Sequence, residues 1–542
     1  MVNLAFQLDY LIASPPDEIE KLSTTVKASE VFNAGVRLEA SAFSIEVRNV
    51  VAVLENSGLK LISLYGENGL CKGGYYPHRF KRIYVESANG IPFLSSSEII
   101  SLCPTASHFV SRSYTPKIER LLPEKWDILI SRSGTIGNIG LATEIFLGKA
   151  LSEHVIRLQT DTPENAGYVA AFLRSQYGRC QLTQGTFGSV VAQIEPQHLK
   201  RVLIPDLPPI RKIAIGRLMC EAGELRDQAN SLLDEADRLL HERLNLPYLK
   251  DITPTGNESY ISKIKASQWQ GRLEGSFHNS QAIIAEKQLH ELNIEITNIG
   301  DPRVTKEVRA ITKFRKRTYV KKGGIPLLSS KQLFQIDPID VKKLAKGAHE
   351  KDLPEIQLEE NMIAVTRSGT IGRVQIVPKY MNKWTASEHA TRFISSENIN
   401  AGYLYSWLAS DYGYCLITRY SYGSVILEVD KEMFSSVSIP LPEKNIRDEI
   451  GNLVLKANQL RDQAWKKEQE AITKLENLIN PKLTKIMDTK TNVQTIPLKN
   501  VEFDYNAEPI WELADRLSAE VPKEEWDKLP TDLASNFDHY QQ

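Results

Sequence analysis

The chain has 542 residues, 42% hydrophobic and 25% charged, with a formal net charge of -1. This length calls for about three folded units rather than one, and the composition is that of a soluble globular protein able to build real cores. The five cysteines are scattered without a CxxC pair, which argues against a thiolate zinc site or disulfide framework. No apolar run nears the roughly 20 residues that span a bilayer. Near-neutral charge leaves any nucleic-acid contact to local clusters of basic residues.

The opening MVNLAFQLDYLIASPPDEIEK lacks a basic region followed by a long apolar core, so no secretory signal is expected. Apolar, β-rich runs such as LKLISLY then precede a basic cluster, HRFKR, at His78–Arg82. IPFLSSS follows and offers the hydroxyls of Ser96 and Ser97. WDILISRSGTIGNIGLAT reads as strand, glycine turn, strand, and carries Arg132, Ser133, Gly134 and Thr135 in its turn. Glycine lets such a turn approach a partner closely, while Arg, Ser and Thr supply donors suited to phosphate oxygens. SEH at Ser152–His154 is read as a structural hydrogen-bonding group. GTFGSV then places Thr186 and Ser189 beside an aromatic and glycines.

A long helix is predicted next. Ile215, Leu218, Ala222, Leu225, Ala229, Leu232, Ala236 and Leu239 alternate spacings of three and four, bounded by Pro208–Pro209 and Pro247.

From there the chain repeats itself. RSGTIG recurs at Arg367–Gly372, 235 positions later, and KAS, RLE, IPxLSS, SEH, GSV and LRDQA recur in the same order. The second copy has its own basic cluster with Arg315, Lys316 and Arg317, then Ser330 and Lys331, then Arg367, Ser368, Gly369 and Thr370. Tyr422 and Ser424 follow in YSYGSV. Its closing helix holds a seam at Ile450, Leu453, Ala457, Leu460 and Ala464. Lys467 and Lys474 then fall on seam positions while apolar residues move to Ile472, Leu475 and Ile479, which predicts a stutter. Two matching seams in one chain predict that the long helices pair. The repeat stops near Met487, and the tail is acidic with Trp511 and Trp526.

Catalytic signatures are missing. There is no [ND]PP[YFW] methyltransferase signature, GxxxxGK[ST] phosphate loop or HExxH helix, and GTIGNIG joins two strands instead of opening a helix.

On these landmarks, residues 1–485 resemble the specificity subunits of type I restriction–modification systems. The (S/T)RSGTIG turn, the GSV segment and the proline-led helix entries, each occurring twice in one order, carry the resemblance. It implies an α+β chain with two tandem target-recognition domains, each followed by a long helix, the helices pairing as an antiparallel coiled-coil spacer. The expected divisions are 1–207 and 247–442 for the recognition domains, 208–246 and 443–487 for the spacer helices, and 488–542 for a tail that could serve interaction.

The resemblance further implies a non-catalytic subunit in the prokaryotic cytoplasm. It would read a bipartite site in double-stranded DNA and dock two methyltransferase subunits and a restriction or translocase subunit. S-adenosylmethionine is expected in the methyltransferase, with no cofactor or metal in this chain. The expected DNA contacts are Arg79, Lys81, Arg82, Ser96, Ser97, Arg132, Ser133, Gly134, Thr135, Thr186 and Ser189 in the first copy. In the second they are Arg315, Lys316, Arg317, Ser330, Lys331, Arg367, Ser368, Gly369, Thr370, Tyr422 and Ser424. Arg132 and Arg367 are expected on phosphates, and residues that differ between copies on bases. Two other readings are a DNA-binding adaptor of a defence system without methylation and a scaffold that does not read DNA.

Overall fold

The computed structural model describes residues 26–28, 43–77, 79–133, 135–184, 193–253, 271–272, 274–310, 314, 316–320 and 323–481. Gly134, Thr186, Ser189 and Arg315, the rest of GTFGSV, and the tail 488–542 lie outside the described residues.

Each copy of the repeat builds the same mixed α/β unit. In the first copy an antiparallel sheet runs in the order Gly73–Tyr75, Val155–Gln159, Ile128–Ser131, Ile139–Leu141. In the second the order is Thr305–Arg309, Ala390–Ser395, Ile363–Thr366, Val374–Ile376. The two inner strands, Ile128–Ser131 and Ile363–Thr366, are buried along their whole length, which explains their unbroken apolar character.

A second sheet accompanies each. Gly90–Leu94 pairs antiparallel with His108–Ser111 and parallel with Ala150–Leu151. Likewise Ile325–Leu328 pairs antiparallel with Lys342–Leu344 and parallel with Thr385–Ala386. An antiparallel pair closes each unit just before its long helix: Leu61–Ser63 with Leu203–Pro205, and Glu295–Asn298 with Ser438–Leu441.

The long helices are Pro209–Leu244 and Lys444–Ile479, each 36 residues. They run antiparallel along one another: Arg243 pairs with Glu449 (2.8 Å), Arg226 with Glu468 (2.5 Å), and Lys467 with Glu221. Ala222, Ala229 and Ala236 on the first, and Ala457, Ala464 and Ala471 on the second, are at most 1% exposed. A small side chain every seventh residue lets two helices approach closely.

The rest of the buried face differs from the sequence expectation. Leu218, Leu225 and Leu232 are only partly covered, while Met219, Arg226 and Leu240 are buried. On the second helix the face runs Ile450, Val454, Ala457, Arg461, Ala464, Glu468, Ala471 and Leu475 in alternating steps of four and three, then steps four again to Ile479. An apolar pattern skips Arg226, Arg461 and Glu468, because a charge inside a helix interface is invisible to a hydrophobic periodicity.

The antiparallel arrangement sends each helix into both cores. The first core takes Ile215 and Met219 from the start of the first helix and Ala471, Leu475 and Ile479 from the end of the second. The second takes Leu239, Leu240 and Leu244 together with Ile450 and Val454.

Each helix is also locked to its own unit. Pro163–Arg174 crosses the first helix where Gly167 meets Gly216, and Ala401–Ala409 crosses the second where Gly402 meets Gly451. A Cβ on Gly167 or Gly402 would lie 2.2 or 2.1 Å from the facing glycine's carbonyl oxygen. The aspartates of the repeated LRDQA segment act alike. Asp227 accepts from Thr143 Oγ1 (2.7 Å) and Glu144 N (2.8 Å), and Asp462 accepts from Lys379 N (3.0 Å) and Tyr380 N (2.9 Å). Among the described residues no helix is long and apolar enough to cross a membrane.

Candidate nucleic-acid interface

The RSGTIG turn is built the same way twice. The hydroxyl just before it closes the loop on both sides. Ser131 Oγ donates to Thr135 O and accepts from Asn138 N (3.0 Å). Thr366 Oγ1 donates to Thr370 O (2.6 Å) and accepts from Arg373 N (2.9 Å). Gly137 and Gly372 sit at φ +86° and +83°, which a side chain would strain, so glycine ends both turns.

The turn arginines point inward. Arg132 N donates to His154 O (2.8 Å), and its guanidinium pairs with Glu195 while lying 4.2 Å over the Tyr76 ring. Tyr76 donates to the same carboxylate (2.5 Å). Arg367 N donates to His389 O (2.9 Å), and its guanidinium reaches Glu428 (3.4 Å) and Asp430 (3.3 Å). Tyr422 donates to Asp430 (2.8 Å). Both arginine side chains are about one-tenth exposed. This corrects the expected phosphate role: a buried guanidinium already holding a carboxylate is a fold determinant, because exposing it would strand that carboxylate.

Ser133 and Ser368 are also internal. Each shares a hydrogen bond with the Nδ1 of its SEH histidine, Ser133 with His154 (2.6 Å) and Ser368 with His389 (2.5 Å), so neither presents its hydroxyl outward. Burial, opposed by Glu153 and reinforced by Arg82 and Arg132, lowers the pKa of His154 and favours its neutral form.

The SEH glutamates, which sequence reading passed over, hold the basic clusters. Arg82 Nη2 donates to both carboxylate oxygens of Glu153 (2.7 and 2.8 Å), and Arg317 Nη2 donates to Glu388 (2.5 Å). Burial pushes the Glu153 carboxyl up, but Arg82 outweighs it and holds the group below its ordinary range. The only available signal was the recurrence of SEH itself, 71 residues after each of these arginines. Arg82 and Arg317 are therefore committed to carboxylates as well.

Several of the remaining residues do face solvent. Arg79, Lys81, Thr135, Lys316, Lys331, Gly369, Thr370 and Ser424 are exposed, and Ser96, Ser97, Ser330 and Tyr422 are half-buried. The structure also brings the copies together. A cavity of about 410 Å³ is lined by Thr135 of the first turn and by Arg317, Lys331, Lys342 and His389 of the second copy. Lys342 has no counterpart among the expected contacts. Among the described residues no three metal-binding side chains cluster. What this surface offers is hydroxyls, backbone and unpaired ammonium groups, a donor set matched to phosphate oxygens.

Comparison with known proteins agrees with this chemistry. Residues 305–474 match the family described as type I restriction modification DNA specificity domain. A type I restriction–modification S subunit from M. genitalium aligns at 13% identity over 77% of this chain and 98% of its own, with a TM-score of 0.28. An HsdS subunit from Thermoanaerobacter tengcongensis aligns at 13% identity over 76% and 98%, with a TM-score of 0.24. These scores fall short of a shared global arrangement, and the family match covers the second repeat alone. Curated proteins gave no match.

Proposed function

We propose that this member of the type I restriction–modification specificity family, identified through its second repeat, reads a two-part target in double-stranded DNA, one part per repeat. The observation that carries this reading is the doubling of the whole apparatus. Two turns of the same construction, two buried Arg–carboxylate clamps and two SEH networks are set on units joined by antiparallel helices. Antiparallel helices relate two head-to-tail repeats by an approximate twofold axis, which suits a duplex whose two strands are themselves antiparallel.

In this reading the shared residues hold the turns, and exposed residues that differ between copies read base edges. The paired helices set the separation of the two half-sites. The two equivalent surfaces dock methyltransferase subunits, with a restriction or translocase subunit joining them. S-adenosylmethionine belongs to the methyltransferase, and the complex works in the prokaryotic cytoplasm.

The test is to purify the native assembly, identify its other subunits by mass spectrometry, and footprint it on DNA. Two different short protected motifs separated by a fixed gap are expected, with methyltransferase chains present. A single continuous motif, or an assembly without methyltransferase, overturns the reading.

A further inference from the structure

The two repeats agree in their buried networks but part company at one groove. In the first repeat a groove of about 700 Å³ is lined by Tyr75, Tyr76 and Phe80 together with Arg79, Lys117 and Arg120. All three cations are exposed, and among the described residues none has a carboxylate within ion-pair distance. This sets them apart from Arg82 and Arg132, which are committed to Glu153 and Glu195.

A further positive charge lies under the groove. Arg157 is fully buried and stacks 4.2 Å behind the Tyr75 ring. It donates to Leu122 O (2.5 Å), while its Nε and Nη2 have no partner. Asp127 and Glu124 offset part of this charge without forming an ion pair with it, and the remaining field reaches the nearest opening, here across the aromatic floor.

The second repeat keeps the buried arginine and reverses the rim. Tyr75 stands opposite Arg157 in its sheet, and Arg309 stands opposite Arg392 in the matching sheet. Arg392 is likewise fully buried. Arg309, however, is bound to Glu307 (2.9 Å) and Glu359 (2.5 Å). The short helical turn Ile118–Leu121 corresponds to Leu353–Ile356, each placed ten residues before its inner strand. In that register Lys117 is replaced by Asp352 and Arg120 by Glu355. Two cations on one rim thus become two carboxylates on the other.

We infer that the Tyr75–Arg120 groove binds the sugar–phosphate backbone of duplex DNA in the first repeat only, so that this repeat anchors the complex electrostatically. Three unpaired cations converge on a groove with no carboxylate in its described lining, as a polyanion requires. The aromatic walls pack against deoxyribose, and the reversed rim denies the second repeat the same contact. The inference rests on the DNA-reading function proposed above and deepens it: phosphate contacts, which do not read sequence, are unequally divided between the half-sites.

The test uses the full chain with its co-purifying subunits and a labelled random-sequence duplex of roughly 40 base pairs, with anisotropy measured across a salt series. The neutral variant K117N/R120Q keeps a residue that tolerates the φ of +50° at position 117. It should lower the slope of log K against log salt by about two units. The charge-keeping variant K117R/R120K should retain the slope. Transplanting the first rim into the second repeat, D352K/E355R, should steepen it.

An unchanged slope in K117N/R120Q, in a protein that binds DNA normally, overturns the groove assignment alone. The same holds if that variant loses a protein subunit while the slope stays fixed, which would mark the groove as a protein-docking site. Equal loss in K117R/R120K would show that shape and not charge matters, and also overturns it. Failure of the unaltered assembly to bind any duplex overturns both this inference and the function beneath it.

Discussion

Ser101 pairs with Gln335 in an antiparallel bridge, flanked by Leu102 N to Phe334 O (2.9 Å) and Ile336 N to Ile100 O (2.8 Å). Each residue stands ten positions after the isoleucine that opens its repeat's IPxLSS segment, so a residue meets its own counterpart. Such a self-pairing lies on the axis that relates the two repeats. It makes every departure from symmetry nearby informative. Arg226 and Arg461 are equivalent, yet only Arg226 faces a carboxylate, because Leu233 occupies the position equivalent to Glu468.

Glu468 should therefore be a sensitive position. It is buried between Arg226 (2.5 and 2.6 Å) and Arg174. Glu468→Leu would leave Arg226 buried without its carboxylate and Arg174 with only Ile139 O and the longer contact to Asp337 (3.9 Å), and should cost about 3–5 kcal/mol, measured by denaturant unfolding. Burial pushes its carboxyl up, but Arg174 and Arg226 together hold it below the ordinary value of 4.5. A depressed folded pKa gives stability that is full above the unfolded pKa and lost as pH falls through the folded one. The difference between the native chain and Glu468→Gln should thus be constant near neutrality and shrink in acid below about 4.5.

The glycine crossings should tolerate no side chain. A Cβ on Gly216 would lie 1.9 Å from Glu164 O, and one on Gly451 would lie 2.3 Å from Asn400 Oδ1. The obstacle at Gly216 is entirely backbone, so Gly216→Ala should destabilise by roughly 3 kcal/mol or more; at Gly451 the nearest atoms belong to an amide side chain that can yield, with Tyr403 N behind them at 2.8 Å, and the cost should be smaller, roughly 1–3 kcal/mol. Thermal unfolding of the two variants checks the order.

Arg132→Ala should act on stability and not on the salt dependence of DNA binding. Its guanidinium holds Glu195 and backs the Tyr76 ring, so removal should cost about 2 kcal/mol. The slope of log K against log salt should stay constant. Lys331→Gln, at an exposed ammonium on the inter-repeat cavity, should lower that slope by about one unit. A fall in slope for Arg132→Ala without loss of stability would restore the phosphate role.

Lengthening the paired helices should widen the gap in the target. A seven-residue insertion after Leu233, matched by one after Ala457, keeps the buried face in phase. It adds about 10 Å to each helix, or about three base pairs of duplex. The footprint should keep both motifs and gain about three base pairs between them. A folded variant with an unchanged gap would show that the helices do not set the spacing.

The sequence by itself determined the doubling, the mixed α/β character of each copy and the two long helices. Repeats survive as order and spacing, and helices and strands as periodicity. RSGTIG could be read as a turn because glycine and its neighbours carry local conformational information. What the tertiary structure alone decided is which way the turn's side chains face. Arg132 and Arg367 look like surface donors in sequence. Their carboxylates come from Glu195, Glu428 and Asp430, residues about 60 positions away that share no pattern with them. The helix interface misled for a related reason. Arg226 and Glu468 are buried because each neutralises the other across the pair, and a hydrophobic seam read along one helix cannot register a charge whose partner is on another. Burial of a charge is a property of two places in space, and one sequence position carries only half of it.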